Sequence, residues 1–136
     1  MIAKKMIYTT PSHLSNSPIY TKALEIFSLT RKISHYLNYD LSNLKTDGTE
    51  DEHVYFSGDI VQQSELLGPE IIKAEVEYYR DRKQKHADRV ERLSKMLYNN
   101  CKRLEQCNSN GKDFLPILRK ELKMFRKLQR NWMLTL

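Results

Sequence analysis

An all-α fold is what this sequence predicts, and three observations predict it. Apolar residues recur at alternating spacings of three and four along most of the chain. Only four glycines and four prolines interrupt its 136 residues, far too few for the many turns of a β-sandwich. Four such amphipathic stretches follow one another with short joints, which specifies an up-down four-helix bundle, since a single helix would be marginal in water. The length suits one domain with its own core. Its 40% hydrophobic and 29% charged residues mark a chain that folds.

Residues 1–16 read as an irregular arm, because Thr9, Thr10, Pro11, Ser12, Ser15 and Asn16 are loop formers. The bundle is expected over residues 17–136. Ser17 is placed to cap the first helix and Pro18 to occupy its first position. Ile19, Ala23, Ile26, Thr30, Ile33 and Leu37 then form a seam, widened by Leu24 and Phe27, that ends near Asn38. Residues 40–50 read as a loop. Glu50, Asp51 and Glu52 supply the negative charge that favours a helix start.

The second helix carries Phe56, Ile60, Gln63, Leu67, Ile71 and Ala74 on one face. Pro69, after Gly68, lacks a backbone donor and crowds the preceding turn, so a kink or short break is expected there. Val90, Leu93, Leu97, Cys101 and Leu104 mark the third helix. A turn is expected within Tyr79–Lys85, where the apolar face lapses; a single helix from Pro69 to Cys107 is the competing reading. Asn108-Ser109-Asn110-Gly111 is the strongest turn signal. Asp113 can cap the last helix, with Pro116 in its first turn and Leu118, Leu122, Phe125, Leu128 and Trp132 as its apolar face.

Charge is split between the halves. Up to Tyr79, seven Lys and Arg stand against eleven Asp and Glu, a balance of −4; from Arg80 on, sixteen stand against six, a balance of +10, which together make the overall +6. Such asymmetry points to a polyanion, most simply a nucleic acid. On the last helix Arg119, Lys123, Arg126 and Arg130 recur at spacings of four, three and four, and Lys120 and Lys127 widen that side. On the third, Lys85, Arg89, Arg92 and Lys95 do the same. Phosphate contacts are therefore expected from Arg89, Arg92, Lys95, Arg119, Lys120, Lys123, Arg126, Lys127 and Arg130, on one shared exposed wall. Solvation of ordinary helix faces is the plain alternative. No base-reading motif is present, so recognition would be of backbone and shape.

Trp132, Met133, Leu134 and Leu136 put large apolar side chains at the end of the chain, fit either for the chain's own core or for a subunit or partner interface. Tyr78, Tyr79 and Tyr98 stand beside cationic residues, where stacking on bases competes with a place on the core's rim. Gln63, on an apolar seam, needs a hydrogen-bond partner across the bundle.

Catalytic and metal chemistry finds little support. Glu50 and His53 have the spacing of a di-iron ligand pair, but the sequence holds no second copy. His13, His35 and His86 are scattered, and no phosphate-binding or nucleophile motif occurs. Cys101 and Cys107, six positions apart, are expected as reduced, partly buried thiols, as in a cytoplasmic protein. No enzyme activity, metal or cofactor is expected, nor a signal peptide or a membrane span.

The run from Tyr20-Thr21-Lys22-Ala23-Leu24-Glu25-Ile26-Phe27 to Ile33 resembles the first helix of the small four-helix-bundle proteins encoded in intervening sequences of bacterial large-subunit ribosomal RNA genes. Asp59 to Glu75, with Ile60, Pro69, Glu70-Ile71-Ile72 and Ala74-Glu75, resembles their second helix. The related accessory variability determinant of diversity-generating retroelements shares this bundle and ends its last helix near a Trp, as at Trp132. The resemblance covers about residues 19–133 in architecture. It implies a bacterial bundle that assembles as a homo-oligomer, often a pentamer, and for the retroelement branch a basic surface that engages RNA and a reverse transcriptase. The reading is thus a non-enzymatic nucleic-acid-binding protein, RNA before DNA; a scaffold docking an acidic protein is the alternative.

Overall fold

A computed structural model describes residues 15–41, 48, 53–107 and 110–136, and these form four helices without a strand. They are α1 (Pro18–Leu41), α2 (His53–Val76), α3 (Arg80–Leu104) and α4 (Leu115–Thr135), with a short 3-10 turn, Asn110–Phe114, leading into α4. Each helix packs against its neighbours in sequence, and α1 closes on α4. The chain is an all-α four-helix bundle. The expected arm lies, up to residue 14, outside the described residues, as do Glu50 and the expected loop apart from Gly48 and the end of α1.

The seam of α1 is buried at the spacing read from sequence: Ile19, Ala23, Ile26, Thr30, Ile33 and Leu37 all face inward. The amide of Tyr20 donates to Ser17 Oγ at 3.4 Å, the expected cap. The helix runs three residues past its expected end, to Leu41. Leu24 does not widen the core; it stands exposed above the groove between α1 and α2.

Helix α2 passes through Gly68-Pro69 without a break. Pro69 is on the solvent side, whereas Leu67, Ile71 and Ala74 on both sides of it are fully buried and hold the two halves in one line. Gly68 lies under Tyr20, whose Cε1 would be 3.4 Å from a Cβ added there. At the end of α2, Lys83 Nζ donates to the carbonyls of Ala74 (2.7 Å) and Glu75 (3.3 Å), satisfying acceptors that the helix leaves open.

The joint between α2 and α3 is Glu77–Tyr79, earlier than the expected turn: of Tyr79–Lys85 only Tyr79 lies in it and the rest opens α3, and the single long helix is excluded. The polar stretch after it is helical because its anchors are polar: Lys83 caps α2, and His86 bonds Glu70. Before α4, Asp113 lies exposed in the 3-10 turn and does not cap; Phe114 holds the cap position with no side-chain bond, and Pro116 sits in the first turn as expected. Gly111 presses on α1: a Cβ there would meet Tyr36 Cβ at 3.1 Å and Leu37 Cδ2 at 3.2 Å, so only glycine brings the turn this close.

Polar side chains thread the core and tie consecutive helices. Thr30 and Ser64 share a hydroxyl bond (2.6 Å), as do Ser34 and Ser57 (2.9 Å). Asn100 Nδ2 donates to Gln63 Oε1 (3.1 Å), giving Gln63 the partner its position demanded, and Ser94 Oγ donates to Gln129 Oε1 (3.3 Å). Among the described residues no buried side-chain nitrogen or oxygen lacks a partner. Cys101 and Cys107 are buried, and neither is joined in a disulfide. Burial, aided by the charge of Glu105, pushes the Cys101 thiol up to about 12.

Two outcomes follow. Asn100→Leu orphans Gln63 and should destabilise the bundle by about 1–3 kcal/mol in urea unfolding, whereas Gln63→Leu with Asn100→Leu should recover most of that loss. Cys101 should stay inert to a disulfide reagent at mildly alkaline pH in the native protein and react once urea unfolds it.

Candidate nucleic-acid interface

On α4 the buried residues are Leu115, Leu118, Leu122, Phe125, Gln129 and Trp132, so the residues between them face outward. Lys120, Lys123, Lys127 and Arg130 are exposed, and Arg126 is half-buried along the same side. Two carboxylates, one on this helix and one shortly before it, are taken. Glu121 accepts from Lys22 of α1 (2.7 Å), which also meets Glu25 (2.9 Å). Glu105, just past α3, accepts from Arg119 (2.8 Å). These are struts between neighbouring elements. Lys120, Lys123, Arg126, Lys127 and Arg130 make no ion pair among the described residues. Arg119 thus differs from the other candidates on its helix: it is held by its own chain.

Two of the expected cations of α3 lie elsewhere. Arg89 and Arg92 stand over the groove between α2 and α3, on the flank away from α4, with Leu66, Leu93 and Met96 beside them. Lys95 pairs with Glu91 on its own helix (3.7 Å). The nine candidates therefore do not form one wall. Five free cations line α4, while Arg89 and Arg92 belong to a separate groove. Sequence spacing places residues on a side of their own helix; it does not say which neighbour that side meets.

Glu70, only 7% exposed, anchors the α2–α3 groove. It lies 3.0 Å from His86 Nδ1, 3.4 Å from an Arg89 nitrogen and 3.2 Å from Lys73 Nζ. Burial alone would raise its pKa, but hydrogen bonds from His86 and Lys73 outweigh it and hold the carboxyl below its ordinary 4.5. Nothing in the sequence singled out this cluster, since its members come from two helices. Elsewhere cations rest on rings: Arg82 on Tyr79 (5.0 Å), Lys102 on Tyr98 (5.5 Å) and Arg103 on Phe56 (5.2 Å).

The expected apolar interface is largely internal. Trp132 is buried in the chain's own bundle, and its indole N–H donates to Glu75 Oε2 at 3.0 Å. Met133 and Leu136 are half-buried against the core. Leu134 alone of the four projects outward, at 86% exposure. The helix continues to Thr135, so consecutive residues turn to different sides and cannot share one face.

The side chain of His53 and all of Glu50 lie outside the described residues. Among the described residues no three His, Cys, Asp or Glu gather as metal ligands, and no helix is long and apolar enough to cross a membrane. No family model, curated protein or solved structure matches the chain.

The Glu70 cluster has a pH signature. Its folded carboxyl ionises below the unfolded one, so its contribution is complete above about pH 4.5 and is lost as pH falls through the folded value. Glu70→Gln should lower the urea midpoint at neutral pH and flatten the acid limb of stability, the two proteins converging as the carboxyl is protonated.

Proposed function

We propose that this chain is a non-enzymatic nucleic-acid-binding bundle that holds RNA through the phosphates, with α4 as its grip. One observation carries the reading: five cations on the outer side of α4 have no carboxylate partner among the described residues, while Glu121 and Glu105 beside them are occupied as struts. The row from Lys120 to Arg130 spans about 15 Å of helix, enough to meet several phosphates of one strand. Lysine supplies mobile point charges and arginine a fork for phosphate oxygens. Among the described residues no side-chain arrangement suggests base-specific readout, so binding depends on charge and shape.

The resemblance read from the sequence adds further elements to the proposal: RNA over DNA, a homo-oligomer with a pentamer as its expected size, a bacterial cytoplasmic setting, and a reverse transcriptase as a protein partner. Light scattering of the purified chain reads the subunit number. A second reading is favoured by the α2–α3 groove, where Arg89 and Arg92 rim an apolar floor of Leu66, Leu93 and Met96. That surface suits an acidic, amphipathic segment of a protein. The ratio of absorbance at 260 and 280 nm in the purified material separates the two, since only the first brings nucleic acid with it.

Fluorescence anisotropy with labelled RNA at rising salt tests the main reading. The wild-type affinity should fall steeply, and replacing Lys120, Lys123, Arg126, Lys127 and Arg130 with Gln should weaken binding and flatten the log–log slope by about 3 to 4. Absent binding at low salt, or a variant indistinguishable from wild type, overturns it.

A further inference from the structure

The joint between α2 and α3 spends two aromatic residues where burial gains little. Tyr78 is 88% exposed and Tyr79 56% exposed, so neither serves as a rim of the core, in contrast to Tyr98, which packs half-buried against it. The two rings meet edge to face, with centroids 5.3 Å apart and planes at 86°. The Arg82 guanidinium lies 5.0 Å from the centroid of Tyr79. The backbone beneath is held: Tyr79 N–H donates to Glu77 Oε2 (3.2 Å), and Lys83 ties the first turn of α3 to the end of α2 (2.7 Å to the Ala74 carbonyl). A fixed turn therefore presents an open Tyr78 ring, with Arg80 and Arg82 exposed next to it.

We infer that this turn is a stacking platform for unpaired bases of single-stranded RNA, with Tyr78 as the ring that takes a base and Arg80 and Arg82 as contacts for the flanking phosphates. The inference rests on the nucleic-acid reading above and deepens it, since it names the form of RNA. An aromatic ring set in a cationic neighbourhood matches the two parts of a nucleotide, a flat π-face and an anionic link. A base pair inside a duplex offers no free face, so the platform selects single strands. Its position suits the row on α4. The bond from Trp132 to Glu75 sets the last turn of α4 beside the last turn of α2, so Arg130 and the tyrosines lie toward the same end of the bundle. A strand gripped along α4 can run on to the turn.

The test compares a single-stranded RNA with a duplex RNA of equal length, at one salt concentration, for three forms of the protein. Tyr78→Ala with Tyr79→Ala should weaken single-strand binding by about fivefold or more. It should leave duplex binding and the salt slope unchanged. Tyr78→Phe with Tyr79→Phe keeps both rings and should restore the wild-type affinity. Both positions are exposed, so the fold should survive substitution, and circular dichroism of each variant checks it. Binding of both RNAs with no effect of the Ala substitutions overturns the platform and leaves the α4 grip standing. Equal loss for single strand and duplex also overturns it, because stacking on unpaired bases is then not what was removed. If wild-type protein binds neither RNA, the nucleic-acid reading falls and the platform with it.

Discussion

Burial of Leu118, Leu122, Phe125 and Trp132 along one side of α4 forces Lys120, Lys123, Lys127 and Arg130 to the other. At about 100° per residue, positions two places from Leu118, Leu122, Phe125 or Trp132 fall on the opposite side of the helix. The same constraint organises α1, where the seam from Ile19 to Leu37 faces inward and Arg31 and Lys32 face water. What the bundle shows to a partner is the complement of what it hides. A cationic face on α4 is therefore as stable as the core behind it and needs no folding on binding.

Electrostatic pairing decides which of those cations remain available. Arg119 and Lys123 look equivalent in sequence, four residues apart on one side of a helix. Arg119 reaches Glu105 and is consumed as a brace at the end of α3, whereas Lys123 finds no carboxylate among the described residues. Arg89 is drawn the other way, toward Glu70 on α2. Half-exposed pairs of this kind add little stability each, but they set direction. Their effect is to divide a basic half-chain into a free row on α4 and a mixed groove between α2 and α3.

The polar contacts inside the core do a different task. Apolar seams alone would tolerate sliding by a turn, because Leu and Ile contacts are not directional. Thr30 with Ser64, Asn100 with Gln63 and Ser94 with Gln129 fix α1 to α2, α2 to α3 and α3 to α4 in turn. The register so set is what brings Glu75 to the Trp132 indole and Lys83 to the end of α2. The exposed turn at Tyr78 and Tyr79 owes its definite shape to those contacts.

Local rules were enough to read the helices from the amino-acid order: the Ser17 cap, the Pro116 first turn, the seams and the need of Gln63 for a partner all depend on neighbours within a turn or two. They failed where distant contacts outweigh local preference. Pro69 weakens its own turn, yet Leu67, Ile71 and Ala74 pack α2 on both sides of it and keep the helix whole. Asp113 is a good cap, but the approach of Gly111 to Tyr36 and Leu37 sets the chain's path into α4 and leaves it in the 3-10 turn. The amino-acid order thus determined the bundle, its seams and the excess of positive charge. Only the packed structure decided that Trp132 faces inward, that Arg119 and Arg89 have partners and that Tyr78 and Tyr79 stand open, because each of these depends on residues far apart in the chain meeting across helices.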